Sequence, residues 1–439
     1  MKAFLGSFGA EIALLIGLVA FALWGIPLVP FHPDEASLLY ESRDLELLTT
    51  DPLGMAWQPG SELSPEMEYR LLNGPLPKYV LGLGRRIAGF GPEDVSVDWD
   101  WSKNWEANVS AGALPSHPLL NGARTAGTLA MLAAVALIYF AGRLLRGRAL
   151  GFAAAFLLGL NALALLHGRR AMAEGTLLLA LCLSVIGLLV AHRRPWLAGL
   201  TLALAVTSKA STLALVPVGL LASMWSEELS TQTIASIIRR AAWFVLAFVG
   251  LSWLLQPVLW RHPVLGLKAM WAERQELVAR QMADIQAIAP DHVLPNLPQR
   301  AAVLVGNLFV APLQFAEVGN YLAETQSAED AYERIFGHNL LRGSAGGGLS
   351  LALTLLGVIW GWRAMRRGSS RNRRMLILLL AATIFQGAAL VAAIPLPFQR
   401  YTLPMLPFLC LWQACGLTGG WTRAGKTTAP PTRGGAGDI

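Results

Sequence analysis

Charge is scarce in this chain: of 439 residues only 14% are Asp, Glu, Lys or Arg, while 54% are hydrophobic. A soluble domain carries about 25% charged residues, so a water-soluble enzyme is excluded. Cysteine is scarcer still, and Cys182, Cys410 and Cys415 all fall inside apolar runs. That placement offers no metal-ligand spacing and no disulfide framework. A small-x-small cleavage site is lacking as well. The first apolar run follows a lone Lys2 and ends in Pro30-Phe31-His32-Pro33, so it is expected to stay attached as a membrane span. No internal repeat is visible, which argues against the duplicated architecture of many transporters. The net charge of +7 comes from arginines clustered in short turns, the pattern of cytoplasmic loops rather than of a nucleic-acid surface.

What the chain does have is apolar blocks of roughly 17 to 25 residues, each long enough to cross a ~30 Å hydrocarbon core at 1.5 Å per residue. The fold class predicted is an all-α polytopic membrane protein of about ten transmembrane helices, with two large outer loops carrying surface helices. Residues 1–30 are the first span, and 31–117 an acidic outer loop with juxtamembrane helices. In that loop Asp34–Leu48 and Pro75–Ile87 are predicted to lie on the membrane surface, with Arg85 and Arg86 reaching head groups. Trp99, Trp101 and Trp105 read as an interfacial belt. Residues 118–255 form a transmembrane bundle in which Leu150–Leu166 is one span and His167–Glu174 an outer turn.

The block 196–225 is a single tilted helix or a short hairpin. Charge parity favours a hairpin turning at Thr207-Ser208-Lys209, because one crossing would put Arg239-Arg240 and the basic run Arg363–Arg374 outside. Residues 256–343 are the second outer loop, with a surface helix at Ala301–Leu313. Residues 344–418 are the C-terminal spans, and 419–439 a disordered cytoplasmic tail. Both termini are then cytoplasmic.

Two kinds of charge recur at the outer boundary. Asp34 and Glu35 follow the first span, and cations stand at Lys78, Arg124, Arg169, Arg170, Lys209 and Arg400. The carboxylates are either a catalytic base with its neighbour or acids set against a helix N-terminus, and the pattern leaves both open. The arginines either snorkel or bind an anion. Lys209 favours function, because a charge inside an apolar block costs about 2.5 to 3.5 kcal/mol.

Several short stretches resemble, in their order, the GT-C glycosyltransferases that use a polyprenyl-phosphate sugar, a group including protein O-mannosyltransferases and lipid A aminoarabinose transferases. They are His32-Pro33-Asp34-Glu35, Gly74-Pro75-Leu76 with Tyr79, Arg169-x-x-x-x-Glu174, Thr207-Ser208-Lys209, Gln256-Pro257-x-x-Trp260 and Arg400-Tyr401-x-x-Pro404-x-x-Pro407. The resemblance implies that Asp34 is the base that deprotonates the acceptor and that Glu35 fills the acidic second position. It implies that Lys209, Arg400 and Tyr401 lie near the donor phosphate. Asn73-Gly74-Pro75-Leu76 departs from the family's Lys or His before Pro-Pro-Leu, which leaves Lys78 as the substitute contact there.

The function expected is an inverting transfer of a sugar from a polyprenyl-phosphate donor to an acceptor hydroxyl on a protein, lipid or glycan. It takes place on the outer face of a bacterial plasma membrane. A transporter or lipid-binding membrane protein without catalysis is the alternative. No cofactor is expected; a divalent ion on Asp34 and His32 is conceivable, but two adjacent ligands do not make a site.

Overall fold

The computed structural model describes residues 8–225, 233–317 and 321–419. The tail predicted to be disordered falls almost entirely outside them. Every regular element among the described residues is helical. Five helices have the length and apolar character to cross a membrane: His117–Arg146, Ala173–Val190, Ile234–Leu255, Gly343–Arg367 and Ser370–Ala393. Shorter apolar helices at Glu11–Trp24, Pro195–Ser208, Ala210–Met224 and Leu297–Val310 accompany them. The chain is a helical membrane protein. The Ile234–Leu255 helix shows why: Leu246, Val249 and Leu254 are more than half exposed, a surface that only lipid covers without cost.

The expected single span over Leu150–Leu166 is instead a broken one, Arg148–Gly159 followed by Ala162–Arg169 at 59°. Asn161 makes the break, its side chain accepting from the amides of Leu163 at 3.0 Å and Ala164 at 3.2 Å and so capping a new helix. The bend turns His167, Arg169 and Arg170 inward, and all three are buried. The turn predicted at His167–Glu174 is thus packed into the bundle instead of lying open to solvent.

At 196–225 the chain reverses. The Pro195–Ser208 helix ends as the Thr207 and Ser208 hydroxyls bond back to Ala203 and Leu204 carbonyls, each at 2.8 Å, and Lys209 is extended. On the far side Arg240 donates to the carbonyl of His192 and to that of Ser223, each at 2.7 Å. The two ends of the segment therefore meet at one guanidinium.

The segment 31–117, predicted to be an outer loop, packs more deeply than its charge suggests. Asp34–Leu48 is two helices, Pro33–Glu41 and Asp44–Thr50, separated where the Ser42 hydroxyl bonds the Leu39 carbonyl at 2.6 Å. The Pro75–Ile87 helix leaves Leu83 and Ile87 exposed, but Arg85 is fully buried, donating to Glu46 at 2.6 Å and to the Phe90 carbonyl at 2.9 Å. It does not reach head groups. Trp99 is likewise buried, against Phe31 and Trp105; of the three tryptophans Trp101 is the exposed one.

In the segment 256–343, predicted to be the second outer loop, the expected surface helix runs Leu297–Phe309. Two further helices, Pro263–Ile288 and Leu322–Glu333, have no forerunner in the hydropathy pattern. The first bridges two clusters: Ala269 and Met270 pack on Leu71 and Val258, while Met282 and Ile285 pack with Phe398 and Tyr401.

Candidate active site

The site begins with how the Pro33–Glu41 helix starts. His32 is its N-cap, Nδ1 accepting the Asp34 amide at 3.1 Å, and Pro33 takes the first turn, where no amide is needed. The Glu35 carboxylate reaches back to the His32 amide at 3.1 Å, completing a capping box. Glu35 also receives Arg124 Nε at 2.7 Å, Arg124 Nη2 at 2.6 Å and the Ala171 amide at 2.8 Å. It is wholly buried. Burial alone would raise its carboxyl pKa, but Arg124 outweighs this and holds it below the ordinary range. Of the paired acids, Glu35 ties the helix to the bundle and Asp34 faces the site.

Asp34 pairs with Nη1 of Arg400. Nε of the same guanidinium lies 2.8 Å from Glu317 Oε1, and Glu317 Oε2 lies 2.7 Å from His32 Nε2. Because Nδ1 accepts from the Asp34 amide, the ring proton sits on Nε2, which donates to Glu317. Asp34, Arg400, Glu317 and His32 thus close a ring drawn from three distant segments, with the Tyr321 hydroxyl 3.3 Å from His32 Nε2. Burial pushes both acids upward; Arg400 overcomes it, so Asp34 lies below the usual carboxylate range and Glu317 well below it. Both are ionised at neutral pH.

A pair of glutamines sets this register. The Gln314 amide donates to Gln399 Oε1 at 2.9 Å, and the Gln399 amide donates to Gln314 Oε1 at 2.7 Å. The stretch before Glu317 is thereby fixed beside the Gln399–Met405 turn that carries Arg400.

Lys209 enters from the hairpin. Its Nζ is 2.9 Å from Glu174 Oε1 and 5.2 Å from the centre of the Tyr401 ring, over which Arg400 also lies at 5.5 Å. One aromatic ring therefore carries two cations. The Gly74 departure has a steric reason: a Cβ there would collide with the Thr207 and Ser208 carbonyl oxygens just before Lys209.

The other expected phosphate ligands are buried within the protein, each with at least one protein partner, although Nε and Nη1 of Arg170 have no hydrogen-bond partner among the described residues. Lys78 is 2.8 Å from Glu41 and donates to the Tyr69 carbonyl at 3.1 Å. Arg124 serves Glu35. Arg169 donates to the Ala22 carbonyl at 2.9 Å and to the Phe21 carbonyl at 2.7 Å, its guanidinium lying against Gly25 where any side chain would block it. Arg170 donates to the Phe315 carbonyl at 2.7 Å. All four are buried, and they brace the elements around the site.

Glu317 and Tyr321 were not legible in the sequence. They sit in a proline-punctuated loop with no motif around them, and only the acid's isolation in an apolar stretch, Leu313 to Val318, hinted at a role. Among the described residues no three His, Cys, Asp or Glu side chains converge as ligands.

No protein-family model matches the chain, and no curated protein resembles it in sequence. Solved structures do match. ArnT from Cupriavidus metallidurans bound to undecaprenyl phosphate is 14% identical over 94% of this chain and 61% of its own, with a TM-score of 0.53. The apo oligosaccharyltransferase of Archaeoglobus fulgidus is 12% identical over 93% of this chain and 50% of its own, with a TM-score of 0.51. This chain spans half to three-fifths of their length. Across nearly all of its own length, it has the helical fold of the GT-C glycosyltransferases.

Proposed function

We propose that the protein is an inverting glycosyltransferase that moves a sugar from a polyprenyl-phosphate donor to an acceptor hydroxyl at the outer membrane surface. One observation carries this reading. Asp34, Arg400 and Lys209 keep 26%, 14% and 18% of their side-chain surface open and gather around Tyr401, while every other candidate charge is buried against a protein partner. That is one base beside two cations. A hydroxyl is a poor nucleophile, and a carboxylate in reach takes its proton as attack proceeds. The acceptor oxygen bonds to the anomeric carbon, its proton passes to Asp34, and the bond to phosphate breaks with its electron pair leaving on phosphate. Arg400 and Lys209 meet the charge that develops there. In-line displacement inverts the centre. Phosphate needs no acid to leave, so a second catalytic carboxylate is unnecessary, unlike glycoside hydrolysis.

The surroundings suit a lipid donor. Beside Tyr401 lies a small crevice lined mainly by apolar side chains, Leu304, Leu390 and Ile394 among them, where a lipid chain would meet the site. ArnT, with the same fold, is bound to undecaprenyl phosphate.

The test is Asp34→Asn, assayed with undecaprenyl-phosphate sugars. Turnover should fall by about two to four decades, with the melt close to that of the parent, because His32 and not Asp34 caps the helix. Retained turnover would remove Asp34 as the base.

A further inference from the structure

Arg400 divides its guanidinium between two acids. Its terminal edge meets Asp34 and its Nε edge meets Glu317 at 2.8 Å. In the proposed transfer, on which the inference rests, a donor phosphate needs that same terminal edge, so phosphate and Asp34 compete for it. A carboxylate held by a guanidinium is also a weak proton acceptor. Arrival of the phosphate therefore has to take Arg400 from Asp34, which frees the base when the donor is in place. An unanchored arginine, with its long flexible stem, would leave with whichever partner moved.

We infer that Glu317 is a positioning residue: its ion pair with Arg400, 2.8 Å from Nε though not aligned as a hydrogen bond, holds the guanidinium so that the terminal nitrogens can exchange Asp34 for the donor phosphate without the cation leaving the site. The geometry is built for this. Glu317 is nearly buried and holds His32 Nε2 at 2.7 Å, and His32 in turn holds the Asp34 amide at 3.1 Å. One carboxylate thereby registers the cation and the base against each other. The reciprocal Gln314–Gln399 bonds keep the segments carrying Glu317 and Arg400 side by side.

The experiment exploits a difference of sign. Undecaprenyl phosphate binding is measured on the full chain in nanodiscs, with a melt for each variant. Arg400→Gln should weaken binding tenfold or more, the loss of about one charge-assisted contact. Asp34→Asn should tighten it severalfold, because a neutral amide competes for the guanidinium far more weakly than the carboxylate does. Glu317→Gln removes a negative charge beside an anion site, which on charge alone would tighten binding; as the anchor it should weaken it, by about tenfold. Should that variant fail to fold, Glu317→Asp keeps the charge and shortens the reach, and severalfold weaker binding is again expected.

Weakened binding in Arg400→Gln with unchanged or tighter binding in the Glu317 variant overturns the anchor alone. Unchanged binding in Asp34→Asn overturns the exchange. Unchanged binding in Arg400→Gln puts the phosphate elsewhere and takes down the proposed function, and the anchoring role with it.

Discussion

Glu35→Gln, one residue from the proposed base, should give the opposite phenotype to Asp34→Asn. The Glu35 carboxylate accepts four bonds, two from Arg124 at 2.7 and 2.6 Å and one each from the Ala171 and His32 amides at 2.8 and 3.1 Å. A glutamine keeps one acceptor oxygen and turns an amide group toward donors on the other side. Arg124 retains the Val29 carbonyl at 2.9 Å and the Ile26 carbonyl at 3.3 Å, but its charge is left buried without a counter-ion. Breaking a buried pair in this way costs about 3 to 5 kcal/mol. Asp34→Asn breaks a partly open pair, worth about 1 kcal/mol or less, and asparagine still accepts from Arg400. The assay is a thermal melt in detergent together with turnover per folded molecule. Glu35→Gln should melt well below the parent and, where folded at low temperature, turn over at a rate within about tenfold of it. A parental melt with turnover abolished would show that Glu35 acts in the chemistry and would refute its assignment as a brace.

Acidification and surface labelling test the same structure in other ways. Asp34, Glu35 and Glu317 all lie below their ordinary values of 3.8, 4.5 and 4.5. The stability they contribute is thus complete above the unfolded carboxyl range and lost as pH falls through the depressed values. The melting temperature should fall steeply below about pH 4, as these three carboxyls take up protons; a melt that holds level there would contradict the pairing. For sidedness, cysteines at Ser61, Ser327 and Ser369, all exposed, separate the two faces. An impermeant thiol reagent on intact cells should label the first two and spare the third, and labelling at Ser369 would reverse the proposed orientation.

The local pattern of the chain determined a good deal. Apolar length marked the helices of membrane dimensions, and the Pro75–Ile87 helix has the bounds that its leading Gly-Pro and apolar stripe predict. Lys209, a charge in an apolar block, stands where the helix breaks. These features depend on hydropathy, caps and breakers within a few residues, which a linear reading captures.

Partnership was decided only by tertiary structure. Asp34 and Arg400 are 366 positions apart, Glu35 and Arg124 are 89 apart, and Lys209 and Glu174 are 35 apart. Snorkelling, bracing and phosphate binding all ask for the same residue type at the end of a span, so the sequence could not separate Arg124, Arg169 and Arg170 from Arg400. What separated them was which guanidinium met a buried carboxylate or carbonyl and which kept an open edge. The Pro263–Ile288 helix was invisible for a related reason. Its inner face is held by contacts at its two ends rather than by a continuous apolar stripe, with half-buried Glu273 and Arg274 between them. Glu317 gains its meaning only when the Gln314–Gln399 pairing brings it to Arg400, an encounter that no local rule encodes.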